Sequence, residues 1–97
     1  MTHQITTSVV IPNWQGRALL EKNLPSVLAI GADEVIVVEN GSTDGSLELL
    51  QTKFPQVKTL VNQTNEGFAR GVNKGVKEAK GDVIILLNTD VIPYRDL

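Results

Sequence analysis

The 97-residue sequence contains no cysteine, so disulfide bonds and thiolate metal sites are excluded. Its one histidine, His3, lies in an amino-terminal segment that is expected to fray, which leaves little basis for a histidine metal site. The nine lysines and arginines are scattered from Arg17 to Arg95, and the formal net charge is −2. Because binding to nucleic acid depends on concentrated positive charge, we expect no nucleic-acid partner.

Long apolar runs are also missing. No segment approaches the length of a bilayer span, and the start, Met-Thr-His-Gln, lacks the pattern of a signal peptide. We therefore expect a cytoplasmic protein, or the cytosolic part of a larger protein located at the membrane face. With 41% hydrophobic and 21% charged residues, the composition is that of an ordinary globular domain.

Continuous apolar runs rich in β-branched residues predict strands at 8–11, 35–38 and 83–87. Such runs fit strands buried on both faces, as in a parallel sheet covered by helices. A more polar fourth strand is predicted at 57–61, nearer to an edge of the sheet.

Helical periods separate these strands. The first helix is predicted at 17–30, with a kink at Pro25, and the second is expected to stop at Pro55. On the third, Gly71 and Gly75 lie four residues apart and would allow a close approach to the sheet or to a ligand. The order β-α-β-α-β-α-β predicts an α/β fold with an open, mainly parallel sheet and helices on both faces.

Polar side chains follow the last predicted strand, in the segment Asn88-Thr89-Asp90. Residues i and i+2 of an extended chain point to the same side, so Asn88 and Asp90 can converge on one object. A carboxylate and an amide oxygen suit a hard cation such as Mg²⁺ or Mn²⁺, which in turn can hold a diphosphate. The alternative explanation of this segment is a turn or a helix N-cap.

The other strand ends are polar too, and in open α/β sheets ligands bind beyond these ends. Glu39 follows a buried Val-Val pair, where its carboxylate could accept hydrogen bonds from a nucleoside; the segment after it is also explained by a tight turn and an N-cap. Arg70 lies near the positive end of the third helix, a suitable place for an anion, although a solvent-exposed arginine is the commoner outcome. The ordinary interpretation of Phe68 is a core anchor at the start of this helix. Gly16 is alone after the first strand, so the dinucleotide-binding fingerprint is absent, and no P-loop pattern occurs.

Four motifs carry a family resemblance that spans nearly the whole chain. They are Ser-Val-Val-Ile-Pro-Asn-Trp at 8–14, Glu-Val-Ile-Val-Val-Glu-Asn-Gly-Ser-Thr-Asp-Gly-Ser at 34–46, Asn-Glu-Gly-Phe-Ala-Arg-Gly-Val-Asn at 65–73, and Gly-Asp-Val with Leu-Asn-Thr-Asp within 81–90. In order and spacing they resemble the family 2 glycosyltransferases of the GT-A fold. The third motif is most similar to the branch that builds bacterial surface polysaccharides, including rhamnosyltransferase-like members.

The resemblance implies a nucleotide-sugar site in the Rossmann-like amino-terminal half of a GT-A domain. The contacts it implies are Pro12, Asn13, Glu39, Asn65, Gly67, Arg70, Asn88 and Asp90. Glu39, where the family usually has Asp, would contact the base or ribose. Asn88 and Asp90 occupy the family's Asp-x-Asp motif, which holds Mg²⁺ or Mn²⁺ on the donor diphosphate. Asp90 is the expected metal ligand, whereas the amide of Asn88 makes the site less negative and has the ribose or sugar as an alternative contact.

By the same resemblance, residues 1–97 are the donor-binding part of a truncated glycosyltransferase domain. The expected reaction transfers a sugar, with inversion, from a UDP- or dTDP-sugar to a saccharide or lipid-linked acceptor in polysaccharide or cell-surface glycan synthesis. No catalytic residue is expected within the chain, since the family's general base lies beyond Leu97, and the 97 residues are expected to be inactive alone. An incomplete domain exposes a sheet edge, so we also expect self-association.

Two other classes of function remain open from the sequence. A non-catalytic nucleotide-sugar-binding module, or pseudoenzyme, is favoured by the amide at Asn88. A nucleotidylyltransferase would need a glycine-rich, basic loop after the first strand, and the segment 12–17 does not supply one.

Overall fold

The computed structural model of the protein describes residues 4–89, which form an α/β fold. Its elements are β1 (Thr7–Asn13), α1 (Arg17–Ala29), β2 (Glu34–Asn40), α2 (Ser46–Lys53), β3 (Lys58–Asn62), α3 (Phe68–Glu78) and β4 (Val83–Leu86). The predicted order is confirmed. The strands β1 and β2 extend further than the apolar runs alone predicted, so that Asn13 and Glu39 lie within strands rather than in loops.

The four strands form one parallel sheet in the order β3-β2-β1-β4. Asn13 at the end of β1 stands beside Glu39 of β2, and Asn40 stands beside Asn62 at the end of β3. From β1 the chain forms β2 and β3 on one side of β1, and it then crosses back to form β4 on the other side of β1. The order therefore reverses between β1 and β4, and in open α/β sheets ligands bind at the carboxyl ends of the strands at such a point.

One face of the sheet packs against α1 and α2 and holds the larger part of the core. Alternate residues of β1 and β2 meet the apolar faces of the two helices there, as the strand period of two requires. The buried members of this core are Val9, Ile11, Leu20, Leu24, Val27, Val35, Val37, Leu49, Leu50, Phe54 and Val57. The helix α1 continues through Pro25, which is exposed.

The helix α3 covers the other face of the sheet, over a small core of Val10, Ile36 and Val38. A Cβ atom added to Gly75 would lie 2.4 Å from Cγ1 of Val10 and 3.0 Å from Cγ2 of Val38. Real Cβ atoms do not come so close to a packed side chain, so this helix lies at its observed distance because residue 75 is glycine. The predicted close approach of the third helix to the sheet is confirmed.

The two edge strands differ from each other in character. β3 is the polar edge strand that the sequence predicted. β4 was predicted to be buried on both faces, and this prediction is wrong for the described residues, because Val83, Ile84, Ile85 and Leu86 are each 39–45% exposed. The reason is that β4 pairs with β1 alone within residues 4–89. In that part of the chain, no helix is long and apolar enough to cross a membrane.

Candidate functional site

A cavity of about 210 Å³ opens at the carboxyl end of the sheet. It is lined by Pro12, Asn13, Trp14, Asn40, Asn65 and Phe68. Trp14 is 57% exposed and Phe68 is 59% exposed, so both rings are accessible to a ligand in the cavity. The ordinary interpretation of Phe68 as a core anchor is therefore wrong: as the first residue of α3, it lies beside the cavity rather than in the core.

Asn13 and Glu39 form a buried pair at the ends of the two central strands. Nδ2 of Asn13 donates a hydrogen bond of 2.9 Å to Oε1 of Glu39. The same carboxylate accepts a bond of 2.8 Å from the Ser42 amide and another from the Ser42 hydroxyl. Glu39 is only 2% exposed, so these donors fix the carboxylate in place. The structure thus brings two of the predicted site residues into direct contact.

Asn40 links the loop after β3 to the end of β2, a role that was not predicted from the sequence. Its Oδ1 accepts hydrogen bonds of 3.0 Å from Nδ2 of Asn62 and from the Glu66 amide. Its Nδ2 donates to Oδ1 of Asn65 at 3.0 Å and to the Gly67 carbonyl at 3.1 Å. All the hydrogen-bonding capacity of this buried amide is used, and the loop that leads into α3 is held against the cavity. The one available signal was an asparagine inside a buried strand.

The loops after β1 and β2 are tied together by Asp44. Its Oδ2 accepts a hydrogen bond of 2.9 Å from the Arg17 amide at the start of α1. Its Oδ1 accepts bonds from the amide and the hydroxyl of Ser46, the first residue of α2, at 3.0 and 2.6 Å. One carboxylate therefore caps two helices. Partial burial opposes its ionisation, but the hydrogen bonds from Ser46 and Arg17 outweigh that effect and lower the pKa of Asp44.

The ends of β1 and β4 meet around Gly16, at the point where the strand order reverses. A Cβ added to Gly16 would lie 2.4 Å from Oδ1 of Asn13 and 3.4 Å from Oγ1 of Thr89. Oδ1 of Asn13 is buried and has no hydrogen-bond partner within residues 4–89. A buried, unpaired amide oxygen is costly in a core and is more readily explained beside a ligand site.

The predicted metal pair is only partly within the described structure. Asn88 is exposed just beyond β4, whereas Asp90 lies outside the described residues. No group of three or more His, Cys, Asp or Glu side chains that could hold a metal occurs among residues 4–89. The donor chemistry nevertheless fits Mg²⁺ or Mn²⁺, since such ions are held by one or two carboxylates together with substrate phosphates. Asn88 and Asp90 would supply the protein's share of those oxygens.

The remaining predicted contacts lie at the start of α3. Oδ1 of Asn65 accepts a hydrogen bond of 2.8 Å from the Gly67 amide, and Gly67 has a φ of +91°, which suits glycine. Arg70 is exposed in the first turn of the helix. Its guanidinium makes no hydrogen bond or ion pair with the described part of the chain. Pro12, Asn13 and Asn65 thus line one cavity, while Glu39 lies behind Asn13 and Arg70 lies at the helix start.

A second cavity, of about 270 Å³, lies at the opposite end of the sheet. Its lining includes Ser8, Glu34 and Lys80. The Glu34 carboxylate accepts hydrogen bonds from the Ser8 hydroxyl at 2.7 Å and from the Lys80 amide at 2.9 Å. These groups satisfy one another and link β1, β2 and the turn before β4. We interpret this cavity as structural rather than functional.

Comparison with known proteins identifies a family. The model of glycosyl transferase family 2 matches residues 8–97. An uncharacterized glycosyltransferase, YfnE, of Bacillus subtilis (strain 168) is 36% identical over 96 residues, which are 93% of this chain and 24% of that protein. A dolichol-phosphate mannosyltransferase of Pyrococcus furiosus is 32% identical over 90 residues, which are 87% of this chain and 25% of its own length. The chain therefore spans about a quarter of these curated relatives.

Solved structures of other proteins share the fold of this chain. The mannosyltransferase PcManGT from Pyrobaculum calidifontis, in complex with GDP-Man and Mn²⁺, has a TM-score of 0.81 at 23% identity, covering 98% of this chain and 30% of that one. Glucosyl-3-phosphoglycerate synthase from Mycobacterium tuberculosis, in complex with Mn²⁺, UDP and glucosyl-3-phosphoglycerate, has a TM-score of 0.78 at 21% identity, covering 91% and 34%. The open parallel sheet with alternating helices is the Rossmann-like part of the GT-A fold.

Proposed function

We propose that this chain, which belongs to glycosyl transferase family 2, is the part of a glycosyltransferase that binds a nucleoside-diphosphate sugar. The single observation that carries the proposal is the cavity of about 210 Å³ at the carboxyl ends of the strands, with polar groups in its wall and two exposed aromatic rings. Two of the solved structures of similar fold contain GDP-Man or UDP together with Mn²⁺. A nucleoside diphosphate is therefore the ligand that we assign to this cavity.

The nucleoside is proposed to lie between Trp14 and Phe68. Each base has a flat face, and stacking on an aromatic side chain contributes about 1–3 kcal/mol. Asn13 offers an amide oxygen without a partner in the described structure, which suits a donor from the base or ribose. Glu39 accepts three hydrogen bonds, and a carboxylate has about four acceptor positions, so one position is left for a ligand N–H or hydroxyl.

The diphosphate is proposed to lie between the start of α3 and the end of β4. Arg70 brings to a helix amino terminus a guanidinium that has no partner within residues 4–89, and the backbone dipole there also favours negative charge. Asn88 and Asp90 would hold a divalent ion from the other side. Such an ion would neutralise charge on the departing nucleoside diphosphate.

The rest of the reaction is proposed from family membership. We propose transfer with inversion to a saccharide or lipid-linked acceptor in glycan synthesis, with the general base outside these 97 residues. UDP and dTDP are the nucleotides proposed first. GDP is added because PcManGT was solved with GDP-Man.

Trp14 offers a direct test, because it is the single tryptophan of the chain and lies in the cavity wall. UDP, dTDP and GDP should each be titrated with and without Mg²⁺ while Trp14 fluorescence and two-dimensional amide NMR spectra are recorded. We expect one nucleotide to quench Trp14 and to shift the amides of residues 12–16, 39–42 and 65–70. Phe68→Ala should weaken its binding by about tenfold, given the usual contribution of one stacked ring.

Val76→Ala is the matched control, since Val76 is an exposed apolar residue two turns further along α3 and does not line the cavity. It should leave binding unchanged. Shifts confined to Ser8, Glu34 and Lys80 at the other end of the sheet, or no response to any nucleotide, would contradict the proposal. Nucleotide-sugar binding without transfer by a full-length protein would support the non-catalytic alternative.

A further inference from the structure

Asn23 is a polar residue in the buried face of α1. It is 4% exposed and lies between the core residues Leu20 and Leu24. Its Nδ2 donates a hydrogen bond of 2.7 Å to the Thr89 carbonyl, which is 66 residues further along the chain. Its Oδ1 is buried without a partner within residues 4–89. A leucine would avoid the cost of that unpaired oxygen, so packing alone does not explain an asparagine at this position.

The hydrogen bond of Asn23 ends on the backbone of the segment that contains the predicted metal ligands. The Thr89 carbonyl belongs to the peptide bond that joins Thr89 to Asp90, in the centre of the segment Asn88-Thr89-Asp90. Asn88 and Thr89 pack against Asn23 and its neighbours and leave a void of only about 10 Å³, roughly the space of one water molecule. Asn88 and Thr89 therefore pack on α1, and Thr89 also lies near Gly16, where the strand order reverses.

We infer that Asn23 is a positioning residue: by holding the Thr89 carbonyl it fixes the segment that carries Asn88 and continues into Asp90, so that a divalent ion can be bound there. The inference rests on the proposed function, because that function assigns the ion to Asn88 and Asp90. Side chains that orient metal ligands without touching the metal commonly change metal affinity by about 10–100-fold when they are replaced. Asn23 takes this role through the backbone rather than through a ligand side chain.

The hydrogen bond can be tested without any ligand. In the 97-residue chain, NMR should detect scalar coupling between the Asn23 side-chain amide and the Thr89 carbonyl carbon. Asn23→Leu keeps a side chain of similar size but removes the donor, and Asn23→Ala is a second variant in case the larger residue disturbs the core. We expect both to speed hydrogen exchange at the Leu87 amide, which donates to the Val10 carbonyl at 3.0 Å just before this segment, while the amides of β1 and β2 keep their protection. Unchanged exchange in both variants would overturn the inference.

The effect on metal binding is tested by measuring nucleotide affinity with and without Mn²⁺. Mn²⁺ should raise the nucleotide affinity of the unsubstituted chain. We expect this increase to be about tenfold smaller in Asn23→Leu, whereas the affinity without metal should not change. Ser26→Ala is the matched control, because Ser26 lies one turn further along α1 and makes no hydrogen bond with the described residues. It should behave as the unsubstituted chain. An equal loss of metal-free and metal-dependent affinity would overturn the inference, since Asn23 would then support the whole site.

The two readouts separate this inference from the proposed function. If the unsubstituted chain binds no nucleotide, the proposed function fails, and the role of Asn23 toward a metal fails with it even where the exchange data confirm the hydrogen bond. If nucleotide and Mn²⁺ bind together but Asn23→Leu and Asn23→Ala keep the full gain from Mn²⁺, the proposed function stands and the inference alone is overturned.

Discussion

Asp44 is the residue whose individual contribution to stability is most clearly defined. It accepts hydrogen bonds at the starts of two helices, and replacing a capping carboxylate by alanine usually costs about 0.5–2 kcal/mol. We expect Asp44→Ala to lower the free energy of unfolding by about 2 kcal/mol, at the upper end of that range. Urea denaturation followed by circular dichroism measures the change. Glu48→Ala is the control, since Glu48 is exposed in the first turn of α2, and a loss of similar size in that variant would contradict the capping role.

The same carboxylate gives the stability a predictable pH dependence. Hydrogen bonds from Ser46 and Arg17 hold the pKa of Asp44 in the folded chain below its ordinary value of 3.8. Its ionised form is therefore favoured by folding, and its contribution is present above pH 3.8 and lost as the pH falls through the folded-state value. Asp44→Asn should flatten the decline in stability at acid pH, and a variant with the same decline as the unsubstituted chain would contradict this. Glu34 acts in the same direction, since the amide of Lys80 lowers its pKa.

Asn13 and Asn65 were expected at the site from the family resemblance, and both line the cavity, but their hydrogen-bond partners were not predicted. Their partners depend on register, and a sequence pattern does not specify that Asn13 stands beside Glu39. The four hydrogen bonds of Asn40 were missed for the same reason, because they join three separate segments of the chain.

At the scale of elements, α3 provides a matched pair of glycines. A Cβ at Gly75 would overlap Val10, whereas a Cβ at Gly71 would meet its nearest atom at 3.5 Å, an ordinary contact. Alanine improves helix propensity by about 1 kcal/mol at either position, but overpacking costs about 1–3 kcal/mol. We expect Gly75→Ala to destabilise the fold and Gly71→Ala to be neutral or stabilising, as measured by thermal and urea denaturation. Equal effects of the two substitutions would contradict the packing of α3 against β1.

The element order could be predicted because apolar periodicity distinguishes buried strands from helices with one apolar face. The bounds were less predictable. β1 and β2 continue through polar residues because those residues find partners across the sheet, which periodicity does not reveal. Phe68 was expected in the core on the basis of its hydrophobicity alone. Its position at the first turn of α3, beyond the edge of the strands, leaves it beside the cavity instead.

At the scale of the whole molecule, β4 is where the sequence pattern and the described structure differ most. Val-Ile-Ile-Leu is the composition of a central strand, yet within residues 4–89 this strand lies at an edge. The chain covers 24% of the length of its relative YfnE. Hydrophobicity predicts that a strand is to be covered but does not identify what covers it, so the exposure of β4 could not be predicted from the run itself.

The exposed β4 leads to a prediction about association of the 97-residue chain. An apolar edge strand with unpaired backbone groups is a template for pairing with a second chain, and a lysine on such a strand opposes that pairing. We expect concentration-dependent dimers in sedimentation velocity experiments and a shift toward monomer in Ile84→Lys. Val76→Lys is the matched control, because Val76 on α3 is 38% exposed and Ile84 is 39% exposed. A chain that remains monomeric at every concentration, or that responds equally to both lysines, would show that the β4 edge does not drive association.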